Sequence, residues 1–465
     1  MRKLAQRVLP GALILLAGCS FIPAYERPVP PVTAHWPVPA QTAGAQAVAG
    51  ITWQHVLPDP RLQALINAAL EHNRDLRIAV ARVEEARALY GISRADRLPT
   101  VNLGVAQAAA RLPGELSATG NEQISRRYDV NLGVAAFELD FWGRVKSLSA
   151  AAQASYLASA EARESFRLTL IADVASAYLA LQEMEERLSL VRATAENRQD
   201  LRFLVQKRRE VGLAGDLDFL AADGAYAAAR AQLSELERGR TQAENALNLL
   251  VGKVPADLPP GRRLSEQDLP LDIAVDVPAE ALLYRPDVRA AEQKLIAANA
   301  NIGAARAAFL PRINLSLAFG TASRTLSGLF DAGTGAWSFA PSLVHPLFDG
   351  GRTQGGVDLA AARKVIAVAE YEKTIQQAFR EVADLLVARD KLAEQLTAQE
   401  AAEKAQNERL RLVDARYRAG VSSYLEVLDA QRDAFAASQG TVQLRRVLFV
   451  TAAQLYKALG GRAGN

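Results

Sequence analysis

The residues that could bind a metal or attack a substrate are few and scattered in this chain. The four histidines, His35, His55, His72 and His345, lie far apart, and Cys19 is the only cysteine among 465 residues. A zinc site needs several such ligands at close spacing, and a catalytic nucleophile needs a base beside it. No phosphate-cradling glycine loop and no nucleophile elbow is visible. The sequence therefore predicts a protein that is not an enzyme and that holds no metal and no cofactor.

One covalent modification is indicated, at Cys19. The sequence Leu16-Ala17-Gly18-Cys19 resembles the lipobox of bacterial lipoproteins, and it follows a basic start and an apolar run that is too short to span a membrane. We interpret residues 1–18 as a signal peptide and predict that Cys19 carries a covalent lipid. An ordinary signal peptide that happens to contain a cysteine is the alternative. Ser20 follows, where aspartate would favour the inner membrane, so the predicted destination is the outer membrane.

The charge balance excludes a nucleic-acid partner. The chain has 54 Lys and Arg against 51 Asp and Glu, and residues 1–18 hold three of the basic residues. The mature chain is therefore close to neutral, without the excess of basic residues that a nucleic-acid surface requires.

The chain carries the same pattern twice, which predicts two structural repeats. At an offset of about 212 residues, Asp75 matches Asp287, Gly91 matches Gly303 and Pro99 matches Pro311. At an offset of about 208 residues, a second set repeats. Its members are Gly143-Arg144 with Gly351-Arg352, Gly212 with Gly420, Leu217-Asp218 with Leu425-Glu426, and Gly252 with Gly460.

Each repeat contains two segments that alternate between apolar and small or polar residues. They lie at about 99–112, 126–140, 311–325 and 335–348, and this alternation is typical of transmembrane β-strands. Four strands cannot close a barrel, and open edges in a membrane leave backbone groups unpaired. The barrel must be shared between chains, with eight strands from two copies or twelve from three.

Helices account for most of the remaining sequence. Apolar residues at helical spacing predict one helix from Pro60 to Pro99, and a region from about Arg144 to Arg209 without proline predicts a helix of about 90 Å. The chain turns at Gly212 and returns, and the second repeat does the same with its turn at Gly420.

These patterns divide the chain into segments. We expect a lipid-anchored extended arm at 19–59, repeat 1 at 60–252, an irregular connector at 253–283, repeat 2 at 284–460 and a tail at 461–465.

Four short motifs stand out along the chain. They are Pro23-Ala24-Tyr25-Glu26-Arg27-Pro28, Asp59-Pro60-Arg61-Leu62, the run from Tyr284 to Glu292 and the run from Ala307 to Ile313. With them the chain resembles the outer-membrane factor family, the TolC-like efflux ducts, in its NodT-type lipoprotein branch. The resemblance implies a mainly helical fold with transmembrane β-strands, in which a trimeric twelve-stranded barrel in the outer membrane is continued by a long α-helical barrel. The connector would form an equatorial belt. The implied partners are a periplasmic adaptor (membrane fusion protein) and an inner-membrane pump, usually of the resistance-nodulation-division class.

The resemblance also implies a periplasmic gate at the helix turns. The matching residues are Glu426, Asp429, Tyr417 and Asp218, with the turns at Gly212 and Gly420. The best-known member of the family has arginine where this chain has Ser422, so the latch is expected to be weaker or differently connected. Like-charge crowding among the carboxylates is expected to raise some of their pKa values.

A local interpretation of the same residues remains open. Ser423-Tyr424-Leu425-Glu426 is a plausible capping box, Asp216 could cap the matching helix, and Tyr417 could lie buried in a helix seam. For the whole protein, the alternatives to an exit duct are a lipid-anchored periplasmic coiled-coil adaptor or a structural protein of the envelope.

Overall fold

The computed structural model of this chain describes residues 20–33, 36, 52–118, 120–267 and 279–461. The signal peptide, Cys19, much of the predicted arm and part of the connector lie outside the described residues. Contacts divide the chain into two compact units. The sheet unit comprises the described residues of Met1–Val29, Val83–Ser159 and Ala290–Tyr371, and the helical unit those of Pro30–Arg82, Ala160–Arg289 and Glu372–Asn465.

Helices dominate the described part of the chain. They are α1 (Trp53–Val56), α2 (Pro60–His72), α3 (Arg74–Ala95), α4 (Arg144–Glu210), α5 (Asp216–Val251), α6 (Pro286–Ala307), α7 (Arg352–Arg418) and α8 (Tyr424–Ala458). Short 3-10 turns lie at Gly114–Leu116, Leu264–Glu266 and Ala279–Tyr284. Within the described residues, no helix is both long and apolar enough to cross a membrane.

The two repeats are visible in the lengths of these helices. Helices α4 and α7 have 67 residues each, and α3 and α6 have 22 each. Helices α5 and α8 have 36 and 35 residues. The predicted mainly helical fold with two structural repeats is therefore confirmed.

The first predicted helix is divided in two at Asn73. The backbone N–H of Asn73 closes α2 on the carbonyl of Ala69 at 2.8 Å, and its side-chain oxygen accepts a bond from Leu76 N at 2.8 Å, which starts α3. Its side-chain nitrogen donates to Leu250 O at 2.8 Å. Because Asn73 is only 3% exposed, these bonds satisfy a buried amide and fix the break.

The predicted extended arm also needs a correction, because α1 lies inside it. Asp59, which follows α1, is fully buried and caps α2 through Arg61 N at 2.8 Å, with Pro60 as the first helical residue. Its other carboxylate oxygen accepts bonds of 2.7 Å each from Tyr178 Oη and Gln267 Nε2. One buried carboxylate therefore joins the start of α2 to α4 and to the connector.

One antiparallel sheet forms the centre of the sheet unit. Its strands are β1 (Val101–Leu112), β2 (Gln123–Glu138), β3 (Arg312–Ser323) and β4 (Gly335–Val344), in the order β1-β2-β3-β4. On one face, Leu103 lies opposite Leu132, Leu132 opposite Phe319, and Phe319 opposite Trp337. These four side chains are 56–75% exposed, so none of the described residues covers this apolar face.

The opposite face carries small and polar residues. Asn131 lies opposite Gly104 on one side and Gly320 on the other. A Cβ at Gly320 would lie 2.0 Å from the carbonyl oxygen of Val130, so only glycine fits there. A bulge between Val134 and Phe137 places Ala136 at a φ of 54°. Two faces of opposite character are what a membrane strand requires.

Candidate functional site

The two long hairpins turn in the same way, at Gly212 and Gly420. Their φ angles are 76° and 78°, and no atom lies within 4 Å of a Cβ added at either. In the first turn, Gly212 N donates to Arg209 O at 3.0 Å and Leu213 N to Arg208 O at 2.7 Å. The second turn repeats both bonds, from Gly420 N to Tyr417 O and from Val421 N to Arg416 O, each 3.0 Å long. Backbone conformation rather than space therefore requires glycine here.

Glu426 lies in the capping box that starts α8. Its backbone N–H donates to Ser423 Oγ at 3.3 Å, while its carboxylate accepts from Ser423 N at 3.3 Å and from Ser422 Oγ at 2.6 Å. These bonds, that from Ser422 foremost, hold the pKa of Glu426 below its ordinary value. Within one chain the shift is opposite to the rise that the sequence predicts from crowding. Glu426 remains an exposed anion.

Asp429 lies one turn further along α8. Its carboxylate forms an ion pair of 3.2 Å with Arg432, and its side chain is 42% exposed. The side chain therefore keeps much of its contact with solvent.

The matching turn of the first repeat is capped differently from the prediction. Gly215, not Asp216, is the N-cap residue of α5, and its N–H donates to Asp218 Oδ2 at 3.4 Å. Asp216 instead forms an ion pair of 2.6 Å with Arg209. Asp218 thus takes the place that Glu426 takes in the second repeat.

Tyr417 lies in the seam between the hairpins rather than in solvent. It is 6% exposed and belongs to an apolar cluster with Val205, Ala222, Tyr424 and Val427. The rings of Tyr417 and Tyr424 are 5.8 Å apart at an angle of 51°, and burial raises the pKa of Tyr424 to about 12. Among the residues that the structure describes, no hydrogen bond joins Tyr417 to Asp218. Tyr417 and Asp218 therefore have separate partners in the single chain.

The sequence did not single out the arginines of α4 that hold this region together. Arg208 Cζ lies 5.0 Å from the centre of the Tyr417 ring, and Arg202 forms an ion pair of 2.5 Å with Asp223 of α5. Arg198 donates to Ala225 O at 3.0 Å, and burial lowers its pKa. The only signal in the sequence was a run of basic residues near the end of α4 and acidic residues near the start of α5.

Two motifs that carried the resemblance meet each other in the sheet unit. Arg27 forms two hydrogen bonds to Glu292, of 2.7 and 3.0 Å, and Tyr25 Oη donates to the same carboxylate at 3.0 Å. Burial raises the pKa of Tyr25, with the bond to Glu292 as the second cause. These residues fasten the N-terminal segment to α6, so their role is structural.

Arg285, from the same motif as Glu292, supports the end of α8 within the helical unit. It is 6% exposed and donates to Ala458 O at 2.5 Å, to Asp287 at 2.8 Å and to Glu381 at 2.9 Å. The guanidinium thereby satisfies a carbonyl at the end of the helix, which otherwise has no partner within the helix.

Comparison with known proteins agrees with this arrangement. The profile of the outer membrane efflux protein family matches twice, over residues 65–253 and 277–461. The toluene efflux pump outer membrane protein TtgF of Pseudomonas putida is 45% identical, over 96% of this chain and 95% of the relative. Outer membrane protein OprJ of Pseudomonas aeruginosa is 44% identical, over 99% of this chain and 97% of the relative.

Solved structures give the same result. A membrane protein from Pseudomonas aeruginosa has a TM-score of 0.88 at 42% identity, covering 95% of this chain and all of that one. The open state of the MtrE outer membrane channel of Neisseria gonorrhoeae has a TM-score of 0.85 at 38% identity, covering 95% of this chain and 98% of that one. The match decides between a channel and an adaptor in favour of the channel. This chain belongs to the outer membrane efflux protein family, whose members are transport channels of the outer membrane rather than enzymes.

Proposed function

We propose that this chain forms the trimeric exit duct of a tripartite efflux system. It receives small molecules from an inner-membrane pump of the resistance-nodulation-division class through a periplasmic adaptor. The relatives named for toluene and antibiotic efflux support small organic molecules as the cargo. The observation that carries the proposal is the uncovered apolar face of the four-stranded sheet, whose natural cover is lipid.

The edges of the sheet support the trimer. Among the residues that the structure describes, strands β1 and β4 each pair with one neighbour, which leaves one edge of each strand unpaired. Three copies joined edge to edge give twelve strands, enough to enclose a water-filled lumen, whereas eight strands enclose a lumen filled by side chains. The small residues of the opposite face would line this lumen.

The lipid on Cys19 is part of the proposal and would anchor the arm. Mass spectrometry of the mature protein tests it, because an unmodified Cys19 inside a longer chain would exclude lipidation. The predicted segments at 1–18, 60–252, 253–283, 284–460 and 461–465 belong to the same proposal, as does 19–59 with helix α1 near its end.

Glu426 and Asp429 form the gate at the periplasmic end, with the turns at Gly212 and Gly420 presenting it. Three copies of each carboxylate near one axis would concentrate negative potential and favour cations. The exposure of both side chains supports this role, because a carboxylate used only inside the fold would be covered. The hydrogen bonds from Ser422 and Ser423 favour the ionised form of Glu426. They therefore oppose the rise in pKa that like-charge crowding would cause.

Tyr417 braces this gate through Arg208, and Asp218 braces the neighbouring turn. A guanidinium over a buried ring is attracted to it by up to about 2 kcal/mol. Ser422 stands where the best-known family member has arginine, so this position has no cation. Arg208 of the first repeat supplies a cation to the gate instead.

Purified full-length protein tests the duct directly. Its mass in detergent gives the number of chains, and insertion into planar bilayers gives conductance. A trimer that conducts is expected. A monomer that inserts and conducts, or a trimer that never conducts, would overturn the proposal.

A further inference from the structure

The apolar face of the sheet carries two arginines near the end where the hairpin loops lie. Passing outward on this face, β2 presents Val130, Tyr128 and Arg126, and Ile124 follows. On β1, Arg111 lies on the same face, one residue before the strand ends at Leu112. Both hairpins, 113–122 and 324–334, leave from this end, whereas α3, α4, α6 and α7 adjoin the other. In the proposed duct, on which this inference rests, the hairpin end is the outer surface.

The register places the two arginines side by side. Arg126 lies opposite Ala109 and Arg111 lies opposite Ile124, so they are diagonal neighbours on one face. Such neighbours are roughly 7–8 Å apart at the backbone, within reach of one anion. With a rise of about 3.4 Å per residue and a tilt of about 40°, Arg126 lies about 10 Å outward of Val130. In the proposed duct, a long arginine side chain at this place extends outward from the apolar rows and reaches the phosphates of the lipid headgroups.

The two arginines differ in their partners. Arg111 forms an ion pair of 2.5 Å with Glu122, whereas the side chain of Arg126, also exposed, forms no ion pair or hydrogen bond with any described residue. The next residue, Arg127, is on the opposite face and pairs with Asp129 at 2.8 Å. Among the described residues the guanidinium of Arg126 is thus without a counter-charge, whereas its neighbour Arg111 has Glu122 as a partner.

We propose that Arg126, together with Arg111, binds a phosphate of the anionic glycolipid in the outer leaflet. A guanidinium binds phosphate through two parallel hydrogen bonds, which a lysine does not reproduce. Arg126 is available without breaking an existing pair, and Arg111 is shared between Glu122 and the phosphate. The lipid touching the apolar rows below brings its phosphate to this depth.

Lipid retention by the purified full-length trimer tests the site, with diphosphoryl and monophosphoryl lipid A as probes and native mass spectrometry as the readout. The wild type is expected to retain the diphosphoryl form more strongly. Arg126→Gln should weaken its retention about tenfold, and Arg126→Lys should restore only part of it. Arg127→Gln is the matched control, since it removes the neighbouring arginine from the opposite face and should change nothing.

Equal retention of the two lipids by the wild type would overturn the proposal without any variant. So would equal losses in Arg126→Gln and Arg127→Gln, or displacement of the lipid by inorganic phosphate at equal concentration, which would indicate a site for free phosphate. Conductance of the same samples reports on the duct separately. A conducting trimer without lipid preference refutes only the phosphate site.

Discussion

Arg208 lies over the ring of Tyr417, with its Cζ atom 5.0 Å from the ring centre. The contact joins the last turn of α4 in the first repeat to the last turn of α7 in the second. Because the attraction involves the face of the ring, the hydroxyl of Tyr417 is not needed for it. Removal of the hydroxyl therefore distinguishes the two possible contacts. A cation–π contact would remain, whereas a hydrogen bond of the tyrosine would be lost.

Variants that remove the cation or the ring should therefore raise conductance more than variants that keep both. Arg208→Gln and Tyr417→Leu should each remove about 1 kcal/mol per chain from the closed state and raise single-channel conductance. Tyr417→Phe and Arg208→Lys keep a ring and a cation, so they should stay near the wild type. A conductance for Tyr417→Phe as high as that for Tyr417→Leu would assign the latch to the hydroxyl instead.

The matched glycines Gly91 and Gly303 should respond differently to alanine. A Cβ at Gly303 would lie 2.6 Å from Ile22 Cγ1 and 2.8 Å from Ser147 Oγ, whereas nothing lies within 4 Å of one at Gly91. Gly303→Ala should release residues 20–27 and cost about 1–3 kcal/mol of overpacking. Gly91→Ala should be neutral or stabilise helix α3 by up to about 1 kcal/mol. Hydrogen exchange of residues 20–27 measures the difference, and equal protection in both variants would contradict it.

The two sheet faces predict opposite tolerance of charge at adjacent positions. Leu132→Asp places a carboxylate on the apolar face, which should destabilise the inserted barrel by roughly 2 kcal/mol per chain. A trimer has this cost three times. Asn131→Asp, the control, places the same group on the polar face. Trimer yield in extracted outer membranes should fall for Leu132→Asp alone. Normal assembly of both variants would show that the apolar face does not contact lipid.

The start of α8 should depend on pH through Glu426. Its folded pKa lies below the ordinary value of 4.5, so its charged form supports the cap. The support is complete above pH 4.5 and is lost as pH falls through the lowered pKa. Hydrogen exchange in the first turn of α8, corrected for intrinsic rates, should rise below pH 4.5 in the wild type. In Glu426→Gln the corrected exchange rate should not change with pH. If the wild-type rate also does not change with pH, the charge of Glu426 does not support the cap.

The sequence predicted the parts of the structure that repeat with a period. The alternating residues gave the strands, and the matched pair Gly212 and Gly420 gave turns that need a positive φ. It failed at Asn73, where continuous helical spacing concealed an N-cap residue followed by Asp75 in the first turn. That signal was present but weaker than the hydrophobic pattern.

Contacts between distant segments left no such signal. Gly91 and Gly303 match in sequence, yet only Gly303 is approached by another segment, because proximity depends on tertiary structure. The same holds for Arg208 and Tyr417, which no spacing rule connects. The capping box at Glu426 could be predicted because it is local.

The most direct test of the proposed gated duct is the reversal potential of the purified trimer in planar bilayers under a salt gradient, compared with a Glu426→Ala/Asp429→Ala double variant. The wild type should conduct with a preference for cations and be blocked by multivalent cations, because the two carboxylates are repeated around one axis. The double variant should remain a conducting trimer and lose most of both properties. An assembled double variant with unchanged selectivity and block would show that these carboxylates serve only as helix caps and local ion pairs, and that the gate lies elsewhere.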